Sequence, residues 1–179
     1  MVDKELVNRA KKDPQAFGQI YDQYYPQIFG YILKRTANLE AAKDITSETF
    51  FKALKKLWQF RWQNVPFSSW LYRIAGNEII NHYRKNSRQS VPLEEVAEPA
   101  DRTNLSEETM EAEKELQRHQ DFLIIQKKII TLSVKYQEVI TLRFLEKKKI
   151  KEICEILGKK EGTIKSLLSR GLEKLRMEE

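Results

Sequence analysis

Residues 149–176 read KIKEICEILGKKEGTIKSLLSRGLEKLR, and this stretch decides how the C-terminal half folds. Ile150, Ile153 and Leu157 recur at i, i+3 and i+7, the spacing of one helix face. Gly158 follows, a residue that tolerates turn angles other residues resist. Ile164, Leu167, Leu168, Gly171 and Leu175 then hold the inward face of a second helix. Lys165, Ser166, Ser169 and Arg170 fall on the opposite face. Two helices at a tight turn, the second with a polar and basic outer face, have the layout of a DNA-reading helix-turn-helix. A plain helical hairpin with a solvated basic face has the same pattern.

Charge divides the rest of the chain. The 179 residues carry a net charge of +6, which favours a polyanionic partner. Residues 1–88 hold 15 Lys/Arg against 8 Asp/Glu, and residues 116–179 hold 15 against 9. Between them, residues 89–115 hold 2 against 9, with Pro92 and Pro99 and few large apolar residues. That composition describes a flexible acidic linker joining two basic lobes. It serves as a solvated tether, or its acids mimic nucleic acid in a basic channel of a partner. It lets the lobes sit together or apart.

The only cysteine, Cys154, rules out an internal disulfide and fits a reducing compartment. It falls on the inner side of the first helix of the turn motif, as a small core hydrophobe. No apolar run approaches the length of a membrane span, and no apolar signal region opens the chain. The expected location is the cytoplasm.

Asp13-Pro14 is a helix start, a capping acid before proline at the first helical position. Phe17, Ile20, Tyr24, Ile28, Tyr31 and Ile32 follow at helical spacing, with Pro26 a candidate kink. Asn38 caps a second helix, roughly 39–60, to which Ile45, Leu54, Leu57 and Trp58 lend apolar weight. Asp44, Ser47, Glu48 and Phe51 share another face, suited to docking a basic partner helix or to ordinary solvation. The polar loop RWQNVP, 61–66, contains Trp62. Its ring either stacks on unpaired bases or folds back over the helix ends. A further helix, about 67–85, turns Phe67, Trp70, Leu71 and Ile74 inward. Along it Arg73, Asn77, Asn81 and Arg84 form a stripe of groups that recognise phosphates and base edges; a solvated face is the ordinary alternative. After the linker, Phe122, Ile125, Ile129 and Leu132 give one face. Tyr136, Val139, Ile140, Leu142 and Phe144 begin the next helix after a break near Ser133. The predicted class is all-α: two small helical domains joined by the linker, the second a four-helix unit with the turn motif.

The run DITSETF, 44–50, followed by FSSWLYRIAGN, 67–77, resembles the promoter-melting domain of bacterial RNA polymerase sigma factors. YQEVI, 136–140, followed by EICEILG, 152–158, and EGTIKS, 161–166, resembles their C-terminal promoter-reading domain. Two such domains and a short linker are similar to the extracytoplasmic-function group, the smallest members of the sigma-70 family.

That resemblance implies a division into 1–88 (polymerase docking, −10 recognition and melting), 89–115 (linker) and 116–179 (−35 recognition). It implies docking of Asp44, Ser47, Glu48 and Phe51 on the β′ clamp helices of core RNA polymerase. It implies −10 contacts from Phe60, Arg61, Trp62, Gln63, Asn64, Arg73, Asn77, Asn81 and Arg84. It implies −35 contacts from Thr163, Lys165, Ser166, Ser169 and Arg170. The implied partners are the polymerase, including its β flap, promoter DNA and an anti-sigma factor, with no cofactor and no membrane insertion. The linker would thread the polymerase near the path of nascent RNA.

Five positions depart from the family pattern. Trp62 stands in a −10 loop one residue longer than usual, where glycine is frequent. Lys149 stands where serine usually caps the first helix of the turn motif, an interaction typically worth ~1 kcal/mol. Lys159 replaces an apolar residue, Lys160 a capping residue, and Leu167 an arginine common on the reading helix.

Two other classes fit parts of the pattern. A stand-alone helix-turn-helix regulator would use the first lobe for sensing or dimerisation, but leaves the acidic docking face unused. A nucleic-acid enzyme lacks support: His82 and His119 are the only histidines and lie far apart. No zinc-spacing cluster and no Gly-rich phosphate loop is present, and Asp44 with Glu48 makes a poor magnesium site. No catalytic residue and no metal ligand is predicted.

Overall fold

The computed structural model describes residues 4–62, 65–86 and 121–177. Among these the structure is helical, with no strand. The acidic linker, and Gln63 and Asn64 of the polar loop, lie outside the described residues.

The N-terminal lobe contains α1 (Lys4–Ala10), α2 (Pro14–Thr36), α3 (Leu39–Lys56), a 3₁₀ turn (Leu57–Gln59) and α4 (Phe67–Asn86). Helix α1 is an addition to the sequence reading; it buries Val7 and Ala10. The carboxylate of Asp13 accepts from the Gln15 N–H at 2.9 Å, and Pro14 occupies the first turn, where no N–H is needed. Helix α2 continues through Pro26 and ends at Ala37 in the left-handed region, φ 49°, whose N–H returns to the Leu33 carbonyl. Asn38 then caps α3 by accepting from the Ala41 N–H at 2.8 Å. Two buried threonines of α3 satisfy themselves on the preceding turn: Thr46 donates to the Ala42 carbonyl and Thr49 to that of Ile45.

The core of this lobe is aromatic. Phe60 meets Trp62, Phe67 and Trp70, with ring centroids 5.1–5.2 Å apart. Leu54 and Trp58 are exposed, Trp58 by 69%, rather than giving α3 inward weight. The inner face runs through Ile45, Thr49, Ala53 and Leu57. Leu54 and Trp58 each sit one position further, about 100° round the helix.

The C-terminal lobe contains α5 (helical over 121–131), α6 (Val134–Ile140), a π turn (Thr141–Leu145), α7 (Ile150–Leu157) and α8 (Glu161–Met177). Ile129, Val139, Leu142, Ile153, Ile156 and Ile164 are fully buried or nearly so. Each such side chain contributes about 2–5 kcal/mol by the cost of truncation to alanine. On α5 the expected face is rotated: Ile125 is exposed and Gln126 is buried. The Gln126 amide donates to the Leu33 and Lys34 carbonyls at the end of α2, at 3.0 and 3.3 Å. Capping those carbonyls is what draws an amide inward. Gly171 lets α8 approach α6 closely, since a Cβ there would lie 2.8 Å from Ile140 Cδ1.

The two lobes pack on one another. α4 lies against α7, and the end of α2 against the π turn. Glu146 accepts from Lys34 Nζ at 2.8 Å and from the Tyr72 hydroxyl at 2.6 Å. Gln27 donates to that same hydroxyl at 2.9 Å.

Candidate polymerase and nucleic-acid interfaces

The turn motif is built by local chemistry. Gly158 takes φ 63°, a left-handed angle, and its N–H closes on the Cys154 carbonyl. Cys154 itself is half-buried. Lys149 has no oxygen with which to cap α7. Glu152 supplies the other half of a capping box by accepting from the Lys149 N–H at 2.8 Å.

On α8, Thr163, Lys165, Ser166, Ser169 and Arg170 all face solvent. Glu161 holds Lys165 at 2.6 Å, and that hydrogen bond raises the ammonium pKa. Leu167 is half-buried against the core. It replaces an expected arginine with a packing contact, so it adds no positive charge to the exposed face.

On α3, Asp44, Ser47, Glu48 and Phe51 are all exposed, Phe51 by 50%. Glu48 pairs with Lys52 at 3.2 Å, and Lys52 reaches across to Glu78 of α4 at 2.5 Å. Lys55 lies over the Phe51 ring at 4.3 Å. Phe51, Leu54 and Trp58 thus continue the acidic face as an exposed apolar ridge. A groove of about 530 Å³ lies beside it, lined by Asp44, Glu48 and Lys52 of α3 and Asn81, His82 and Arg84 of α4.

The predicted −10 residues divide into three groups. Phe60 is buried, so its ring anchors the loop from within the core rather than facing outward. Trp62 folds back, edge-on to Phe60 and half-buried, with its Nε1 buried and unbonded among the described residues. Arg61, Arg73, Asn77, Asn81 and Arg84 are exposed. A cavity of about 270 Å³ opens between the loop and α4, lined by Phe60, Arg61, Val65, Trp70 and Arg73. Asn81 donates to Glu78 at 3.4 Å. Arg73 is engaged by the other lobe, through Nε to the Ile156 carbonyl at 3.0 Å and through Nη2 to that of Glu155.

Sequence reasoning missed the groups between the lobes. Arg35 is fully buried; its Nη1 donates to the Tyr31 hydroxyl at 3.0 Å and lies 3.7 Å from Glu138 Oε1. Burial pushes the Glu138 carboxyl up, against the pull of Arg35 and Lys159. Burial, and then the hydrogen bond to Glu146, raise the Tyr72 hydroxyl. One signal was available: Arg35 continues the inward series Ile28, Tyr31, Ile32 by helical spacing.

Among the described residues no group of three His, Cys, Asp or Glu could hold a metal ion, and no helix is long and apolar enough to cross a membrane.

Two known families match. Residues 20–89 match Sigma-70 region 2, and residues 122–175 match Sigma-70, region 4. The chain is 34% identical to the ECF RNA polymerase sigma factor SigW of Bacillus subtilis, over 98% of this chain and 95% of SigW. It is also 34% identical to the ECF RNA polymerase sigma factor BldN of Streptomyces coelicolor, over 96% of this chain and 63% of BldN. In fold it is similar to the sigma factor RpoE of Bartonella quintana, solved in complex with the anti-sigma factor NepR. That likeness has a TM-score of 0.65 and 24% identity, and covers 90% of this chain and 94% of RpoE.

Proposed function

The chain belongs to the extracytoplasmic-function group of the sigma-70 family of RNA polymerase sigma factors, and from that membership we propose the following division of labour. The exposed acidic face of α3, Asp44, Ser47, Glu48 and Phe51, docks on the β′ clamp helices of core polymerase. The ridge through Leu54 and Trp58 extends that contact. The exposed face of α8 enters the major groove of −35 duplex DNA, where arginine, lysine and serine read base edges and phosphates. The stripe on α4, with Asn77 at its centre, captures an unpaired −10 base in or beside the cavity under the 61–66 loop. Unstacking a base costs a few kcal/mol, which a stacking surface and an amide can offset. Phe60 and Trp62 hold that loop from within. The C-terminal lobe also meets the β flap, and the linker passes through the polymerase.

The protein is not an enzyme; bond formation belongs to the polymerase. Its place of work is the cytoplasm, where polymerase and promoter are found. An anti-sigma factor is a further partner, by analogy with RpoE and NepR.

The observation that carries this reading is the order of parts on one chain: a region 2 match bearing an exposed acidic helix face, then a region 4 match bearing an exposed basic reading helix. The test is transcription by sigma-free core polymerase on fragmented host DNA, with and without this protein, mapping 5′ ends. New start sites sharing sequence about 10 and 35 base pairs upstream are expected. Absence of new starts together with absence of core binding would overturn the reading in favour of a free-standing DNA-binding regulator.

A further inference from the structure

Lys11 joins two parts of the N-terminal lobe that are distant in sequence. Its Nζ donates to the Phe60 carbonyl at 2.7 Å, across 49 residues. Lys11 follows α1 directly, its N–H reaching the Val7 carbonyl at 3.1 Å, and α1 is seated by buried Val7 and Ala10. The base of the side chain is therefore fixed, and a lysine stem is long enough to carry its ammonium to another element.

Phe60 is where the 3₁₀ turn ends and the polar loop begins. Its N–H closes the turn on the Leu57 carbonyl at 3.1 Å, and its own backbone is extended, φ −64° and ψ 127°. The residue is buried, and a carbonyl so placed requires a donor. The donor it has comes from outside the loop. The Phe60 ring is held separately, among Trp62, Phe67 and Trp70. One residue is thus pinned twice, by its ring from inside the core and by its oxygen from the end of α1.

The second pin sets a direction. The Phe60 carbonyl and the Arg61 N–H lie in one rigid peptide plane and point opposite ways. Holding the oxygen fixes that plane, and with it the direction in which the chain leaves the core at Arg61. Gln59, Phe60, Arg61 and Val65 line the cavity of about 270 Å³, facing Trp70 and Arg73 of α4. One wall of that cavity is a packed helix. The other is a turn and a loop, and its place depends on how Phe60 is held. Lys11 does not itself line the cavity.

We propose that Lys11 is a positioning residue for −10 base capture: its bond to the Phe60 carbonyl sets the loop wall of the cavity beside which the unpaired base is held. The inference rests on the −10 reading above.

The experiment measures binding of holoenzyme, core polymerase with this chain, to a single-stranded oligonucleotide carrying the −10 region of a promoter mapped as above. A second oligonucleotide is abasic at the position where removing the base costs wild type most. Lys11→Met removes the ammonium and keeps a stem, and Lys11→Arg keeps a cationic donor. Arg9→Ala is the control, since its bond to Gln19 is exposed and lies away from Phe60. Denaturation midpoints establish that each variant is folded. Lys11→Met should weaken binding of the intact oligonucleotide about tenfold, the scale of a hydrogen bond to a charged group, while the abasic one is held as before. Lys11→Arg should restore the difference, and Arg9→Ala should leave it unchanged. An equal loss on both oligonucleotides would make Lys11 a general charge or a fold determinant and overturn the proposal. So would no loss on either.

A second readout needs no DNA. The Trp62 Nε1 is buried, and its ring rests edge-on against Phe60. Solvent exchange of that indole N–H therefore reports how firmly the start of the loop is held. It is followed by NMR in the free full-length chain, with Trp62→Phe to assign the signal. Exchange should be faster in Lys11→Met and return to the wild-type rate in Lys11→Arg. Unchanged exchange in Lys11→Met would overturn the anchor. Wild-type holoenzyme that ignored every −10 base would count against the −10 reading, and indole exchange would still judge the anchor.

Discussion

The α4 stripe and the α8 face are built from the same kinds of side chain, arginine or lysine beside small polar groups, yet they stand in different surroundings. Lys165, Ser166, Ser169 and Arg170 face water, and Lys165 is tied only to Glu161, one turn away on the same helix. Arg73 is held by carbonyls 82 and 83 residues away in sequence. The composition of a helix face therefore states what it can bind. Whether the face is free is decided by long-range packing, which local pattern does not contain.

The largest expected effect comes from separating the lobes' stabilities. Gly171→Leu forces a side chain into Ile140 and Tyr136, where even a Cβ would lie 2.8 Å from Ile140 Cδ1. Overpacking of this kind costs about 1–3 kcal/mol, and this site belongs at the upper end. Binding to −35 duplex should be lost and the C-terminal lobe should melt earlier, while core binding through α3 persists. Unchanged −35 affinity would show that α8 tolerates displacement.

Next, Arg170→Ala should weaken holoenzyme binding to −35 duplex by about tenfold to a hundredfold, the range of a good base contact. Melting of a pre-opened −10 template should not change. Equal loss on both templates would erase the distinction between the two faces.

Asn77→Ala should lower open-complex formation about tenfold, as permanganate reactivity of unpaired thymines, with core affinity intact. Normal melting would remove Asn77 from the base-capturing group.

A smaller effect tests how each lobe starts its helices. Asn38→Ala removes the cap of α3 and should cost about 1 kcal/mol in chemical denaturation. An unshifted midpoint would mean that packing alone fixes where α3 begins.

The smallest effect is expected at Glu161→Gln. The Lys165–Glu161 pair is solvent-exposed, and such pairs add little to stability. The melting temperature should hold, while affinity for −35 duplex rises slightly as Lys165 is released. A drop in affinity would show that Glu161 orients Lys165 rather than merely occupying it.

The features legible in the sequence are those with local chemistry. Asp13-Pro14, Asn38, the break near Ser133 and the Gly158 turn involve partners within a few residues, and each lies where the spacing placed it. The exposure of the α3 and α8 faces follows from helical period in the same way. Trp58 is exposed although the sequence suggests core, because an apolar residue near a helix end reads as core wherever the face boundary falls. Gln126 was overlooked because its acceptors lie at the end of α2, 92 and 93 residues away. Glu138 and Glu146 are hidden from spacing for the same reason: a charge reads as solvated until its distant partner is known. Helix α1, seven residues long, carries too few periods for spacing to reveal it.

The hold of α7 on Arg73 also has a consequence in time. The N-terminal lobe leaves the ribosome first, complete through α4, before any residue of the turn motif has been made. Arg73 precedes its acceptor Glu155 by 82 residues. At about 5–20 residues per second, that separation is about 4–16 s of synthesis. During that interval the nascent chain displays both the acidic face of α3 and an unclaimed arginine. A newly made chain leaves Arg73 without these two acceptors until translation has passed Ile156.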